Sequence, residues 1–234
     1  MNAFSSVRRR RTPSRGDSSR NRIIPELASS GPDACDSRFF ALQPIFDRQR
    51  EIFGYEALAR SGWDNRFTGD SDTATELMIA NRVLHKFDEL TGGRRMFVNC
   101  TREALVRGLL TLLPPSTVLE LLETVESDEE VLGACSRMKA LGYQIALDDF
   151  RKSEKTEGLI ALADYVKVDF RLSCKQERSE IIRHLSGNAA MLVAEKIETV
   201  EEFEIAIEEG FQLFQGYYLG RPKVFSKREF PLTI

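Results

Sequence analysis

Histidine and paired cysteine are scarce in this chain, and their scarcity excludes several kinds of metal site. Only two histidines, His85 and His184, occur among the 234 residues, so a histidine-rich metal centre is excluded. The cysteines are scattered without a CxxC pair, which indicates reduced thiols rather than a disulfide frame or a zinc site; they are Cys35, Cys100, Cys135 and Cys174. Any metal must therefore use oxygen ligands, which favours Mg²⁺, Mn²⁺ or Ca²⁺.

Long apolar runs and a strong excess of charge are also missing. No run approaches the ~20 apolar residues that span a bilayer, and the basic stretch at residues 8–11 is not followed by the apolar segment of an export signal. A net charge of -3 argues against broad nucleic-acid binding. We therefore expect a cytoplasmic protein with no membrane span and no nucleic-acid partner.

The beginning of the chain differs in composition from the rest. Residues 1–37 are rich in Arg, Ser, Pro and Gly and poor in apolar residues, so they cannot bury enough surface to offset the entropy of ordering. We predict a disordered tail over 1–37 and one domain over 38–234. The arginines of the tail could contact nucleic acid or an anionic membrane, but a solvated tail or a mis-assigned start site is the favoured explanation.

From residue 38 onward, β-rich apolar runs alternate with amphipathic helical patterns. The predicted strands are 39–46, 52–59, 95–99, 117–122, 143–149, 165–169, 190–197 and 211–217. The predicted helices are 73–90, 102–112, 128–141, 155–163, 176–186 and 199–209. Such alternation is typical of parallel βαβ units.

The first two strands do not fit that alternation. Only residues 47–51 join them, too few for a parallel crossover, so they should form an antiparallel hairpin. Together with the six βα units that follow, they predict an α/β fold, a TIM-like (β/α)8 barrel whose first strand pair is antiparallel. An open doubly wound sheet is the alternative, but no Gly-rich phosphate loop of that fold is found.

Each of the eight predicted strands is expected to end on a polar residue suited to metal-ion phosphate chemistry. These residues are Gln43, Glu56, Asn99, Glu120, Asp148 with Asp149, Lys167, Glu195 and Gln215. Polar groups are costly to bury without partners, so one per strand suggests strands that converge on a single acidic site at the carboxyl rim of a barrel. Several carboxylates at one mouth repel one another unless cations neutralise them, and two divalent cations there would suit phosphoryl chemistry.

Each of these residues also has an ordinary structural explanation. Glu56 or Glu120 could form a rim salt bridge, and Asp148 with Asp149 could open a turn. Lys167, two positions before Asp169, could form a buried structural pair with it. The same-end placement on successive strands favours a site over separate explanations.

These residues lie in motifs that resemble one known family. The segment QPIFDRQREIFGYEALAR resembles the opening of EAL domains, which hydrolyse the bacterial second messenger cyclic di-GMP, and FVN, LELLE, ALDDF, VKVD, AEKIET and QGYYLGRP follow in the family's order over about 38–225. The resemblance implies a (β/α)8-type barrel with an antiparallel first strand pair. It also implies a Mg²⁺- or Mn²⁺-dependent phosphodiesterase, with two cations per site, that opens cyclic di-GMP to linear pGpG.

The resemblance implies a role for each matching residue. Positions of the metal ions and their water are matched by Glu56, Asn99, Glu120, Asp148, Asp149, Glu195 and Gln215. Lys167 matches a catalytic lysine near the nucleophilic water, with Glu56 and Glu195 beside it. Gln43 and Arg60 match contacts to a guanine base and a phosphate of the substrate. Glu123 and Glu198 match acids that brace the catalytic loop and the metal ligands.

One loop departs from the family pattern. Active EAL domains read DDFG and a Gly/Ser-rich stretch, whereas this chain reads DDFRKSEKTEGL, with Arg151 in place of the glycine. The chain also resembles EAL domains that precede an HDOD signalling domain, whose EAL part often acts through protein contacts. The alternative function is therefore a catalytically degenerate EAL domain that acts as a cyclic di-GMP receptor or a protein-interaction module. A homodimer and a signalling protein are the expected protein partners.

Overall fold

The structure, a computed structural model, describes residues 39–60 and 91–226. The predicted tail over 1–37 and the predicted helix over 73–90 lie outside these residues. Cys100, Cys135 and Cys174 are free thiols, and Cys35 also lies outside the described part.

An antiparallel hairpin begins the described chain, as predicted. Strand β1 (Phe39–Asp47) pairs with β2 (Ile52–Arg60) in register from Phe39 opposite Arg60 to Phe46 opposite Ile52. In the turn, Oδ1 of Asp47 accepts hydrogen bonds of 2.9 Å from the backbone amides of Gln49 and Glu51. The side chain of Asp47 thereby sets the turn, as aspartate commonly does at this position.

Six strands then follow in parallel, and the sheet closes into a barrel. They are β3 (Arg95–Cys100), β4 (Thr117–Leu121), β5 (Gln144–Leu147), β6 (Tyr165–Asp169), β7 (Met191–Glu195) and β8 (Leu213–Phe214). The barrel closes because β1 pairs with β2 on one side and with β8 on the other, through Phe46 opposite Phe214. This closure confirms the predicted TIM-like barrel and excludes the open doubly wound sheet.

Helices connect the parallel strands on the outside. They are α1 (Arg102–Val106), a 3-10 helix (Leu109–Leu112), α2 (Glu129–Ala140), α3 (Glu157–Ile160), α4 (Lys175–His184) and α5 (Val200–Glu209). Thr101, Asp128 and Thr199 cap α1, α2 and α5, and each side-chain oxygen accepts a backbone N–H at 2.9 to 3.3 Å. These caps satisfy amides that the first helical turn leaves unpaired.

The elements differ from the predictions most in four places. The strand predicted over 211–217 shortens to the two residues of β8, Leu213 and Phe214. A ninth strand, β9 (Lys223–Ser226), was not predicted, and it pairs antiparallel with the first residues of β1. The helix predicted over 102–112 divides at Gly108, whose φ of 70° lies in the left-handed region that glycine adopts at little cost. The helix predicted over 155–163 is the shorter α3, and the side chain of Thr156 does not cap it.

The interior of the barrel has an apolar layer below a polar one. The apolar layer consists of Ile45, Phe97, Val118, Ala146, Tyr165, Val193 and Leu213, all buried. On β3 to β8 the residue two positions further along is polar in every case: Asn99, Glu120, Asp148, Lys167, Glu195 and Gln215. Because side chains of a strand alternate between its two faces, these polar groups point into the same interior, above the apolar layer.

The polar layer does not coincide with the strand ends. Glu56 and Lys167 lie in the middle of β2 and β6, so the prediction that each strand ends on its polar residue is wrong for these two. Gln43 likewise lies in the middle of β1, directly opposite Glu56. Strands tilt across a barrel, so one level of its interior falls at a different distance from the end of each strand.

Candidate metal centre

The ammonium group of Lys167 lies among four carboxylates in the polar layer. Its Nζ atom lies 2.7 Å from Glu195, 3.1 Å from Asp148 and 3.6 Å from Glu56, and it also donates to Glu120. The Lys167 side chain is 1% exposed and that of Glu120 is 0% exposed. One positive charge therefore faces four acidic groups away from water, which favours the binding of further cations.

Several acceptor atoms of this layer have no hydrogen-bond partner among the described residues. They are Oε2 of Glu120, Oε2 of Glu195 and Oε1 of Gln215, all buried. The amide group of Gln215 donates to Glu56 at 2.7 Å, and that of Asn99 donates to Glu56 at 3.4 Å. Buried acceptors without donors are costly, and oxygen atoms in this arrangement suit a hard divalent cation.

The acidic residues form two groups, each of which could hold a cation. Glu56, Glu120 and Glu195 make an inner group that is buried, and Glu123, Asp148 and Asp149 make an outer group nearer the surface. In each group one oxygen per residue lies within 4.8 Å of the others. Two adjacent oxygen-rich groups fit the donor set of a two-cation site.

Burial changes the protonation of two members of these groups. It raises the pKa of Asp148 well above the ordinary value, and the charges of Glu195 and Glu56 raise it further. Burial also raises the pKa of Glu195, although the charge of Lys167 opposes that rise. Both carboxyl groups therefore resist ionisation in the metal-free protein, and a bound cation would compete with the proton.

A second lysine, whose role the sequence motifs did not indicate, reaches the outer group. The Nζ atom of Lys196 lies 3.1 Å from Oδ1 of Asp149 and also donates to the buried carboxylate of Asp169. Asp169 therefore pairs with Lys196, which excludes the alternative explanation of a structural pair between Lys167 and Asp169. Asp149 and Lys196 both have left-handed backbone angles, with φ of 42° and 57°. Such angles are uncommon outside glycine and often occur at functional sites.

The polar layer opens into a cavity of about 300 Å³ at the carboxyl end of the barrel. Gln43, Glu56, Lys167, Glu195, Gln215 and Tyr217 are among the residues that line it. Gly216 in the same wall packs so tightly that a Cβ atom there would lie 2.0 Å from the carbonyl oxygen of Ile197. The close backbone contact holds Gln215 in position at the cavity.

The remaining predicted residues lie around the mouth of this cavity. Gln43 donates to the carbonyl of Gly220 at 3.4 Å. Arg60 is partly buried at the end of β2, and burial lowers its pKa, while the nearby Glu56 and Tyr217 act in the opposite direction. Glu198 lines the cavity and accepts a hydrogen bond of 2.9 Å from Arg171.

The unusual loop after Asp149 lies against the segment that follows β4. The carbonyl of Lys155 accepts a hydrogen bond of 2.7 Å from the amide of Ser127, and the ammonium of Lys155 lies 2.5 Å from Glu126. Residues 151–155 are exposed. The loop is therefore anchored by its own charged residues rather than by glycine turns.

The fold and the site together define a (β/α) barrel protein with an acidic mouth whose oxygen atoms suit divalent cations. The model of one family, the EAL domain, matches residues 33–222. The chain therefore belongs to the EAL domain family, as the sequence motifs predicted.

The proteins similar to the chain include two curated bacterial relatives. YuxH of Bacillus subtilis, named an uncharacterized protein, is 35% identical over 196 residues, which are 80% of this chain and 48% of YuxH. The cyclic di-GMP phosphodiesterase CdgJ of Vibrio cholerae is 32% identical over 212 residues, 88% of this chain and 49% of CdgJ. The chain thus spans about half the length of the curated relatives it matches.

A similar solved structure is that of a standalone versatile EAL protein from Vibrio cholerae O395 in a cyclic di-GMP-bound form. It is 26% identical, has a TM-score of 0.61, and the match covers 80% of this chain and 93% of that one. Within the described ranges, 39–60 and 91–226, no helix is long and apolar enough to cross a membrane.

Proposed function

We propose that this chain is a cyclic di-GMP phosphodiesterase, which hydrolyses one phosphodiester bond of the cyclic dinucleotide to give linear pGpG. Support comes from its membership of the EAL domain family, from the likeness to CdgJ, which is named for this activity, and from the likeness to an EAL protein with cyclic di-GMP bound. In this reaction water adds to phosphorus, the bond from phosphorus to the 3′ oxygen breaks, and the 3′ oxygen takes a proton.

The observation that carries the proposal is the pair of acidic groups around Lys167. Buried acceptor atoms of Glu120, Glu195 and Gln215 lack donors within the described structure, so the residues present fit divalent cations. We propose Mg²⁺ or Mn²⁺, held by Glu56, Asn99, Glu120, Asp148, Asp149, Glu195 and Gln215. When bound, such cations supply Lewis-acid stabilisation of charge on the phosphate oxygens.

The chain's own residues then orient and stabilise the reacting phosphate. Lys167 lies within 3.6 Å of four carboxylates and would supply a positive charge beside the attacking water. Glu56, which accepts from Gln215 at 2.7 Å and faces Lys167, would hold the lysine in place. Glu195 would do the same from β7.

The substrate would enter through the cavity at the carboxyl end of the barrel. Arg60 can form paired hydrogen bonds to a phosphate, and Gln43 can donate to and accept from the edge of a guanine base. Glu198 holds Arg171 at the same mouth, and Glu123 belongs to the outer group beside the altered loop.

Incubation of the purified protein with cyclic di-GMP and Mn²⁺ or Mg²⁺, followed by chromatography of the nucleotides, tests the proposal. We expect pGpG from the wild type and none from Glu56→Gln, which keeps the shape of the side chain but removes its charge. A Glu126→Gln control changes an acid of the loop contact away from the cavity and should retain activity. Intact substrate with the wild type at both metals would contradict the proposal.

A second function is favoured by the loop over 151–155. Its Arg151 and its anchoring through Lys155 differ from the glycine-rich loop of active EAL domains. The predicted likeness to EAL domains that precede HDOD domains favours the same alternative. In this alternative the chain is a cyclic di-GMP receptor or a protein-interaction module. Calorimetry that detects binding of the nucleotide without turnover would support it, and turnover gained when 151–155 are replaced by Gly and Ser would locate the cause in the loop.

We also propose the organisation and setting of the chain. The folded domain would begin at about residue 38 after a disordered tail, which is close to residue 33, where the family match begins. The protein would act in the cytoplasm, as a homodimer or with a signalling protein partner. Size-exclusion chromatography with light scattering on the full chain would test the dimer.

A further inference from the structure

Lys196 contributes a second cation to the acidic mouth, separate from Lys167 and partly exposed to solvent. Its ammonium lies 3.1 and 3.3 Å from the two oxygens of Asp149 and donates to the carboxylate of Asp169. The Asp149 side chain belongs to the outer group, with Glu123 and Asp148. The positive charge of Lys196 is therefore placed beside one of the two groups that fit a divalent cation.

Asp169 holds Lys196 in this position. Its carboxylate is 5% exposed, and its Oδ1 atom accepts the backbone amides of Arg171 and Leu172 at 2.7 and 3.1 Å. The other oxygen, Oδ2, is then directed to Lys196. Because Asp169 is fixed by the backbone, the ammonium is held at Asp149 rather than spread over many positions in solvent.

The backbone at Lys196 adopts a conformation that a lysine rarely adopts. Its φ of 57° is a conformation that favours glycine. Hydrogen bonds to Asp149 and Asp169 hold the ammonium, and a lysine side chain is a cation at neutral pH.

We propose that the Lys196 ammonium takes the place of one divalent cation at Asp149. The chain then binds one cation tightly at the inner group of Glu56, Glu120 and Glu195, and it binds a second at the outer group only when Lys196 is displaced. The inference rests on the proposed function, since it takes the two acidic groups as cation sites.

Titration of the full chain with Mn²⁺, with free Mn²⁺ followed by electron paramagnetic resonance, tests the inference without any turnover. In Lys196→Gly and Lys196→Gln the second Mn²⁺ should bind roughly tenfold more tightly than in the wild type, a typical size for coupling between sites. The first Mn²⁺ should bind within about twofold of the wild type, because the Lys196 ammonium pairs with Asp149 and Asp169 rather than with the inner carboxylates. Lys196→Gly carries the test alone if Lys196→Gln fails to fold, because glycine suits the backbone angle.

Lys139→Gln is the matched control. The partly exposed ammonium of Lys139 likewise forms an ion pair with an aspartate, at 2.6 Å from Asp164. Asp164 directly precedes β6, away from the acidic mouth. Its loss should leave both Mn²⁺ affinities unchanged. An effect on the second affinity as large as that of the Lys196 variants would overturn the inference.

Other outcomes would also overturn it. They are a second affinity equal in the wild type and in the Lys196 variants, the absence of a second ion in all of them, and a weaker cyclic di-GMP affinity with unchanged Mn²⁺ binding. If the variants bind the second Mn²⁺ more tightly but neither they nor the wild type hydrolyse cyclic di-GMP, the inference stands and the proposed phosphodiesterase activity is wrong. Hydrolysis by a wild type that binds two Mn²⁺ ions with equal affinity would overturn the inference and leave the proposed phosphodiesterase standing.

Discussion

The Nζ atom of Lys167 lies 2.7 Å from Oε1 of Glu195, across the neighbouring strands β6 and β7. Lys167 is in register with Val193 rather than with Glu195, so the two charged groups meet because the strands tilt inside the barrel. Among the described residues, Lys167 supplies the only positive charge of the polar layer, and it contacts four carboxylates there. Stability and cation binding therefore depend on the same atoms.

Replacement of Lys167 by methionine should destabilise the metal-free protein strongly. The substitution leaves four acidic groups without their shared cation, and the loss of one partner from a buried charge pair costs about 3–5 kcal/mol. Urea unfolding with EDTA at neutral pH measures the effect. Lys139→Met, which removes a partly exposed ion pair with Asp164, should cost about 1 kcal/mol or less; equal losses in both variants would contradict the argument.

Replacement of Glu195 by glutamine should act in opposite directions on stability and on metal binding. Burial already raises the pKa of Glu195, and its Oε2 atom has no partner within the described residues. A neutral amide should therefore stabilise the metal-free protein by about 1 kcal/mol, while Mn²⁺ affinity should fall by roughly 10–100-fold. Thermal unfolding in EDTA and Mn²⁺ titration measure the two effects, and a lower unfolding temperature in EDTA would refute the first.

Asp148 should make the stability of the metal-free protein depend on pH. Burial raises its pKa in the folded protein well above the ordinary value of 3.8, so its proton binds the folded state more tightly than the unfolded state. This contribution is complete below about pH 3.8 and is lost as the pH rises through the folded pKa.

The difference in unfolding temperature between the wild type and Asp148→Asn, in EDTA, isolates this contribution. The asparagine side chain stays neutral, so the stability of the wild type relative to the variant should fall as the pH is raised from about 4. With Mn²⁺ the wild type should instead gain stability as the pH rises, because the cation replaces the proton. A difference that does not vary with pH would exclude Asp148 as the titrating group.

Gly216→Ala should displace the wall that carries Gln215. The added Cβ atom would lie 2.0 Å from the carbonyl oxygen of Ile197, so the backbone must shift at a cost of about 3 kcal/mol. Urea unfolding and Mn²⁺ titration should both report the change. Gly133→Ala in helix α2, where the nearest atom is a side-chain nitrogen at 3.5 Å, should instead stabilise by about 0.5–1 kcal/mol.

The architecture could be predicted because periodicity and loop length constrain it tightly. The five-residue link between the first two strands required a hairpin, and six further strand–helix repeats left few ways to arrange a sheet. The presence of one polar residue on each strand also predicted that these side chains converge on one site. Residues two positions apart on a strand share a face, so Val118 and Glu120, or Val193 and Glu195, had to lie on the same side of the sheet.

The details that could not be predicted depend on contacts between distant segments. Strand β9 is short, and its pairing with β1 is set by where the chain returns after Gly220. The role of Lys196 depends on its unusual backbone angle and on Asp169, which is 27 residues earlier in the chain. A lysine directly after Glu195 in the sequence carries no signal of either.

The closure of the barrel sets the order in which the site can be assembled during synthesis. β1 is translated first among the described strands, yet its partner β8 and the amide group of Gln215, which donates to Glu56 across 159 positions, come almost last. Until residue 215 has left the ribosome, the barrel cannot close, so the acidic side chains of the nascent chain are not yet held together. Contacts of such long range slow folding, so the acidic side chains come together only late, once β8 has paired with β1.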